Sequence, residues 1–195
     1  MAYIGKVPTA VPLGTSDLAD GIVTVSKLAS TLDLSGNTIT LPSGVGGKVL
    51  QVVTAFKSDS FSTTSGTFTD VTGMSVSITP SSTSSKILIH CRFSTFNDSD
   101  SRVNAFNLVR NSTAIAQPVS SAFQSTVLVI SDDPANVNAN YAPIAIHHLD
   151  SPNTTSQITY KLQMRTNDSS TARVGNRHDG IMSNSADITV MEIAG

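Results

Sequence analysis

The four histidines, the single cysteine and the scattered aspartates are the side chains of this sequence best equipped for metal binding or catalysis. Their spacing argues against both. His147 and His148 are neighbours in a stretch expected to be a strand, so their rings leave opposite faces and cannot chelate one ion together. His90 and Cys91 fail for the same reason. His178-Asp179 falls in an expected loop with no partner spacing, which leaves a ring of imidazoles about a threefold axis as the one metal arrangement open across copies. Asn97-Asp98-Ser99-Asp100-Ser101 begins like a calcium loop but lacks the glycine at its sixth position and the glutamate at its twelfth. Gly44-Val45-Gly46-Gly47-Lys48 is no phosphate loop, since Pro42 stands where a glycine is needed and Val49 where a hydroxyl is needed.

Nucleophilic catalysis has no G-x-S-x-G elbow to rest on. Asp98, Asp100, Asp132, Asp133, Asp150, Asp168 and Asp179 all fall in expected loops, where solvated turns or ligand-contacting tips explain them better than a pair of catalytic acids. The expectation is therefore a binding or structural protein: not an enzyme, with no catalytic residue, cofactor or bound metal.

Composition narrows the partners. Only 13% of the 195 residues are charged, and the net charge of −2 contains no basic block to displace counterions from a nucleic acid. No apolar run approaches the roughly 18 residues of a membrane span. One cysteine excludes an internal disulfide framework and fits folding in a reducing cytoplasm. The Asn-x-Ser/Thr strings at Asn97, Asn111, Asn153 and Asn167 are read as chance in a Ser/Thr-rich chain without a secretion signal.

The elements that would position these residues are strands. Residues 1–47 carry Pro8 and Pro12, which oppose a helix, followed by short alternating stretches broken at Ser35-Gly36-Asn37 and Pro42-Ser43-Gly44. Such mini-strands have no core of their own and read either as a linker or as a collar shared between copies. From residue 48 onward the alternation lengthens. In Gln157–Thr166, Ile158, Tyr160, Leu162 and Met164 share one face; in Lys86–Phe93, Ile87, Ile89, Cys91 and Phe93 do. Further strands are expected over Val49–Phe56, Thr67–Thr79, Asn104–Arg110, Thr113–Ala116, Thr126–Ile130, Tyr141–Leu149, Ala172–Val174 and Asp187–Ile193, with a tight hairpin at Asn111-Ser112. Eight to ten short strands with polar turns give an all-β antiparallel sandwich over 48–195. The closing segment, Ala186 to Ile193, has apolar side chains on both faces, which suits either a strand lying centrally beneath a loop or one whose second face meets another subunit, the reading that fits a trimer.

Several strings in the first 44 residues, MAYIGK-x-P-T-x-x-P-L, Leu-Ala-Asp-Gly-Ile-Val and LDLSGN-T-x-TLPSG, occur in the order found in tail-fibre and fibre-like proteins of marine bacteriophages, which this chain resembles. Ile-Thr-Pro-x-x-x-x-Ser-Lys-Ile-Leu-Ile at 78–89 and the Val-Met-Glu-Ile ending look like the heads of phage fibre proteins, themselves similar to the trimeric jelly rolls of the tumour-necrosis-factor-like superfamily. The resemblance implies a homotrimeric virion protein: an attachment arm and collar over 1–47, and a jelly-roll head over 48–195 presented to a host glycan or protein.

On that reading Tyr3, Ile4, Val7, Pro8, Val11, Pro12 and Leu13 are the apolar anchors that dock the arm on a phage tail or adaptor protein. Receptor contacts are expected from the loops 96–103, 131–140, 150–156 and 167–180, with Asn97, Asp98, Arg102, Asp132, Asp133, Asn153, Asn167, Arg173 and Arg177 as candidates. The expected place is the virion tail after assembly in the host cytoplasm. A capsid-decorating head fibre, a carbohydrate-binding module and a glycan depolymerase are the alternatives.

Overall fold

The computed structural model describes residues 48–98, 102–119, 124–131, 141–167, 170–176 and 183–195. Of the residues singled out above, Tyr3, Ile4, Val7, Pro8, Val11, Pro12, Leu13, Asp100, Asp132, Asp133, Asp168, Arg177, His178 and Asp179 lie outside these segments, as does every other reading on 1–47. The chain divides into two units at Gly46/Gly47, and everything that follows concerns the second.

Alternation of apolar and polar residues produces eleven strands and, among the described residues, no helix. They are β1 (Val49–Lys57), β2 (Phe61–Thr63), β3 (Thr69–Ile78), β4 (Lys86–Asn97), β5 (Arg102–Arg110), β6 (Thr113–Ile115), β7 (Val127–Ser131), β8 (Tyr141–Asp150), β9 (Ile158–Thr166), β10 (Ala172–Val174) and β11 (Ala186–Ile193). One sheet runs β1-β11-β4-β8, with β10 and then β2 continuing beyond the end of β11 along the same edge of β4. The other runs β3-β9-β5, and β6 and β7 share the far edge of β5. Every pairing is antiparallel. Successive long strands mostly cross between the sheets, and the last strand returns beside the first. This connectivity is that of a jelly roll.

The core lies between the sheets. From β4 come Ile87, Ile89, Cys91 and Phe93, from β9 Ile158, Tyr160, Leu162 and Met164, and from β11 Ile188 and Val190, all buried. Phe93 meets Phe106 of β5 across the layer with ring centroids 4.7 Å apart. The β4 and β9 sets are the inward sets expected from the sequence; β11, expected to be apolar on both faces, lies centrally between β1 and β4 with Ile188 and Val190 turned inward. Burial, reinforced by the Asp187 charge, pushes the Cys91 thiol up to about 12, so it packs as a small apolar side chain and not as a nucleophile.

Two local features shape the layers. Between Asp70↔Gln163 and Ser75↔Lys161 the register of β3 jumps, so several β3 residues face one residue of β9. Gly73 takes φ +85° in this bulge, which turns both Val71 and Met74 into the core. The buried aliphatic stem of Lys57 lies against Gly73 and carries its ammonium to Asp59, 2.7 Å away. At the β5–β6 hairpin, Arg110 pairs with Thr113 and leaves the two-residue loop Asn111-Ser112 anticipated from sequence. Asn111 is left-handed (φ 55°), and its Oδ1 accepts from Thr159 N at 2.9 Å.

Candidate functional site

The strand registers place every outward side chain of the β1-β11-β4-β8 sheet in rows. Val52 lies opposite Met191, Met191 opposite Leu88, and Leu88 opposite Leu149, so one row across four strands is wholly apolar. Val52 and Leu149 are 54% and 55% exposed, and Leu88 and Met191 are half-buried. The next row reads Thr54, Thr189, His90, His147, and the one after it Phe56, Asp187, Arg92, Ala145. Phe56 is 66% exposed. Val49 and Leu50 extend the apolar surface at the start of β1. Little net charge sits on the face, because Arg92 donates through Nε and Nη2 to Asp187 Oδ2 at 2.9 and 2.6 Å.

The opposite sheet presents a different surface. Lys161 and Gln163 both donate to Asp70 at 2.7 Å, and Ser77 hydrogen-bonds Thr159 at 2.8 Å. The connection between β6 and β7 folds back on β5, with Gln117 Nε2 donating to Asn107 Oδ1 at 2.7 Å. Polar cross-strand bonds and this connection thus occupy the second outer face, while the first carries large apolar side chains in contact with solvent. Contiguous exposed apolar surface of that kind marks an interaction site.

The two ends of the sandwich also differ. Residues 48 and 194 meet at one end, where Ala194 N donates to Lys48 O at 2.7 Å. The same end holds two buried polar anchors. Glu192, without exposed surface, accepts from Gln51 Nε2 (2.6 Å), Ser81 N (2.7 Å), Ser81 Oγ (2.6 Å) and Ser85 Oγ (2.7 Å). Burial alone would raise its pKa, but those hydrogen bonds outweigh it and hold the carboxyl at about 2. Asp150, expected in a loop, instead closes β8 in the interior, where Arg110 Nη1 donates to both its oxygens and Tyr160 Oη to Oδ2 at 2.7 Å. Burial and then the Asp150 carboxylate push the Tyr160 phenol far above its usual range. Both networks are structural anchors.

At the other end β4 passes to β5 and β9 to β10. There Arg173 pairs with Asp98 through two bonds of 3.0 and 3.1 Å, and Asn167 Oδ1 accepts from Val103 N at 3.2 Å. The structure thus brings together Asp98, Asn167 and Arg173. Arg102 opens β5 at the same end, and its side chain lies outside the described set. Asn153, exposed and left-handed (φ 53°), sits between β8 and β9 at the opposite end and belongs to no cluster with the others.

Asn97 is a correction. It ends β4 with 0% exposure and donates to Asn104 Oδ1 at 2.7 Å, while Asn104 Nδ2 reaches Thr95 Oγ1 and Phe96 O. An Asn before an Asp-Ser run reads as a loop residue. Here an amide network across the β4–β5 connection, which alternation does not reveal, holds it inside.

Sequence reasoning also missed one pair of residues. His90 lies directly opposite His147, with ring centroids 4.4 Å apart and planes 18° from parallel. The two residues are 57 positions apart in sequence, and only the β4–β8 register brings them face to face. A cavity of about 290 Å³ opens beside this face, lined by Arg92, Ser94, Pro143, Ala145 and Ser185 among others. Among the described residues, no three His, Cys, Asp or Glu side chains gather as a metal site.

No protein-family model and no curated protein matches the chain. Three solved structures of infectious bursal disease virus are similar to it. The structure of its Gx strain is 13% identical with a TM-score of 0.40, over 80% of this chain and 41% of that one. Its VP2 subviral particle gives 15% and 0.39 over 86% and 46%, and T=1 particles derived from the virus give 11% and 0.39 over 87% and 44%. This chain spans less than half the length of each of those chains. The jelly-roll assignment rests on the strand connectivity.

Proposed function

We propose that this chain is a structural protein of a phage virion, a short homotrimeric tail fibre that acts by binding. The observation that carries the proposal is the apolar row Val52–Met191–Leu88–Leu149 on an otherwise nearly neutral sheet face. Sister copies packed on this face would remove the row from water, and each leucine fully covered would contribute about 1.5–3 kcal/mol. The count of three, and the docking of residues 1–47 on a tail or adaptor protein, come from the resemblance of the arm and head strings to phage fibres. The head's polarity supports the same reading. The chain enters the sandwich at residue 48, while Asp98, Asn167 and, on the short strand β10, Arg173 lie at the far end. Contacts of modest strength to a host glycan or protein at three such ends would add through avidity.

Light scattering on the full chain tests the assembly. The expected mass is three times 20.4 kDa, and Leu88→Asp or Leu149→Asp, each on the face and outside the core, should reduce it to one protomer. A single-protomer mass for the unmodified chain would overturn the fibre reading and favour a free carbohydrate-binding module. Imaging of the intact particle separates a tail fibre from a capsid-decorating one by where the density attaches.

A further inference from the structure

The geometry points to a divalent-metal site formed by His90 and His147 on the outward face of β4 and β8. The two residues are directly opposed in an antiparallel ladder, so the sheet itself fixes the spacing of their backbones, and both side chains leave the same face. Their rings already stack at 4.4 Å. Stacked rings do not aim their nitrogens at one point, so ligation requires the rings to turn about their side-chain torsions until one nitrogen from each meets a common ion at the roughly 2.0–2.1 Å expected of zinc–imidazole bonds.

The surroundings select the class of ion. Two imidazoles without a carboxylate in their row suit a borderline cation such as Zn²⁺, Cu²⁺ or Ni²⁺, and offer little to Ca²⁺ or Mg²⁺, which require oxygen ligands. The flanking row on one side, Leu88 with Leu149 and Met191, is apolar and limits competition from water. The row on the other side contains Arg92, whose charge is taken up by Asp187. The remaining charged group on this face of β4 is Lys86, bonded to Ser151 Oγ at 2.9 Å. From β11 only Asp187 faces the pair's side of the sheet with a charge; β1 contributes Thr54, which bonds Thr189, and β8 contributes Ala145 and Leu149. The remaining coordination positions are open to water. The site stands on one chain but lies one row from the apolar row that sister copies would cover on the fibre reading, so the titration is made on the Leu149→Asp protomer as well as on the unmodified chain.

The test is calorimetric titration of the metal-free full chain with ZnCl₂ at pH 7.5, with MgCl₂ as the comparison. One zinc ion per chain is expected, and no magnesium. His90→Ala and His147→Ala should each weaken zinc binding by about tenfold or more, whereas His148→Ala, on the opposite side of β8, should leave it unchanged. Circular dichroism melts of the variants, expected to match the unmodified chain, separate lost ligation from lost folding. Absence of zinc binding up to millimolar concentration, or binding that survives either substitution in a folded variant, would overturn the proposal.

Discussion

Single side chains decide how this head responds to acid. Glu192 is held at about 2, below its ordinary 4.5, by donors from Gln51, Ser81 and Ser85. A carboxyl with a depressed folded pKa contributes stability that is fully present above its unfolded value. That contribution is lost as the pH falls through 4.5 towards 2. Glu192→Gln should therefore lower stability at pH 7 by about 1–3 kcal/mol, since an amide nitrogen would face donors. Chemical denaturation at pH 7, 4 and 3 checks this, and the gap between variant and parent should shrink at the acid end. Tyr160→Phe removes one donor from Asp150 and leaves Arg110 in place. Its expected cost is about 1.5–3 kcal/mol, read from the same denaturation curves.

Elements were the most legible level of the sequence, for a physical reason. A strand buried on one side must alternate, so β4 and β9 and their inward residues could be read directly, whereas β11, apolar on both faces, showed its existence but not which face turns inward. β2, Phe61–Thr63, was not among the expected strands because Phe61 is the one apolar residue among serines and threonines there, so no alternation marks it. Register is a relation between strands, which local pattern does not contain. The facing of His90 with His147 and the apolar row through Leu88 were consequently out of reach, although Leu88 between Lys86 and His90 was a signal that the outward set of β4 was mixed. The bulge in β3 belongs to this level too. Gly73→Ala should cost about 1–2 kcal/mol, measured by thermal melting, from its positive φ alone. An added Cβ there meets the Lys57 stem at 3.5 Å, an ordinary contact.

For the molecule as a whole, one outer face carries polar cross-strand bonds and the other an apolar row, which on the fibre reading is the surface of association. Phe93→Ala, deep between the sheets, should destabilise by about 3–5 kcal/mol without a primary effect on assembly. Leu88→Asp should do the reverse, and comparing denaturation with scattered mass for both variants separates folding from association.

The loops and the chain's point of entry occupy opposite poles of the sandwich. Changes in one leave the other physically untouched. On the fibre reading, a phage lineage can therefore rewrite the residues around Asp98 and Arg173 to follow a changing host, while the surfaces that tie the protein to its own particle stay as they are. Adaptation and construction would then be separately evolvable parts of one small chain.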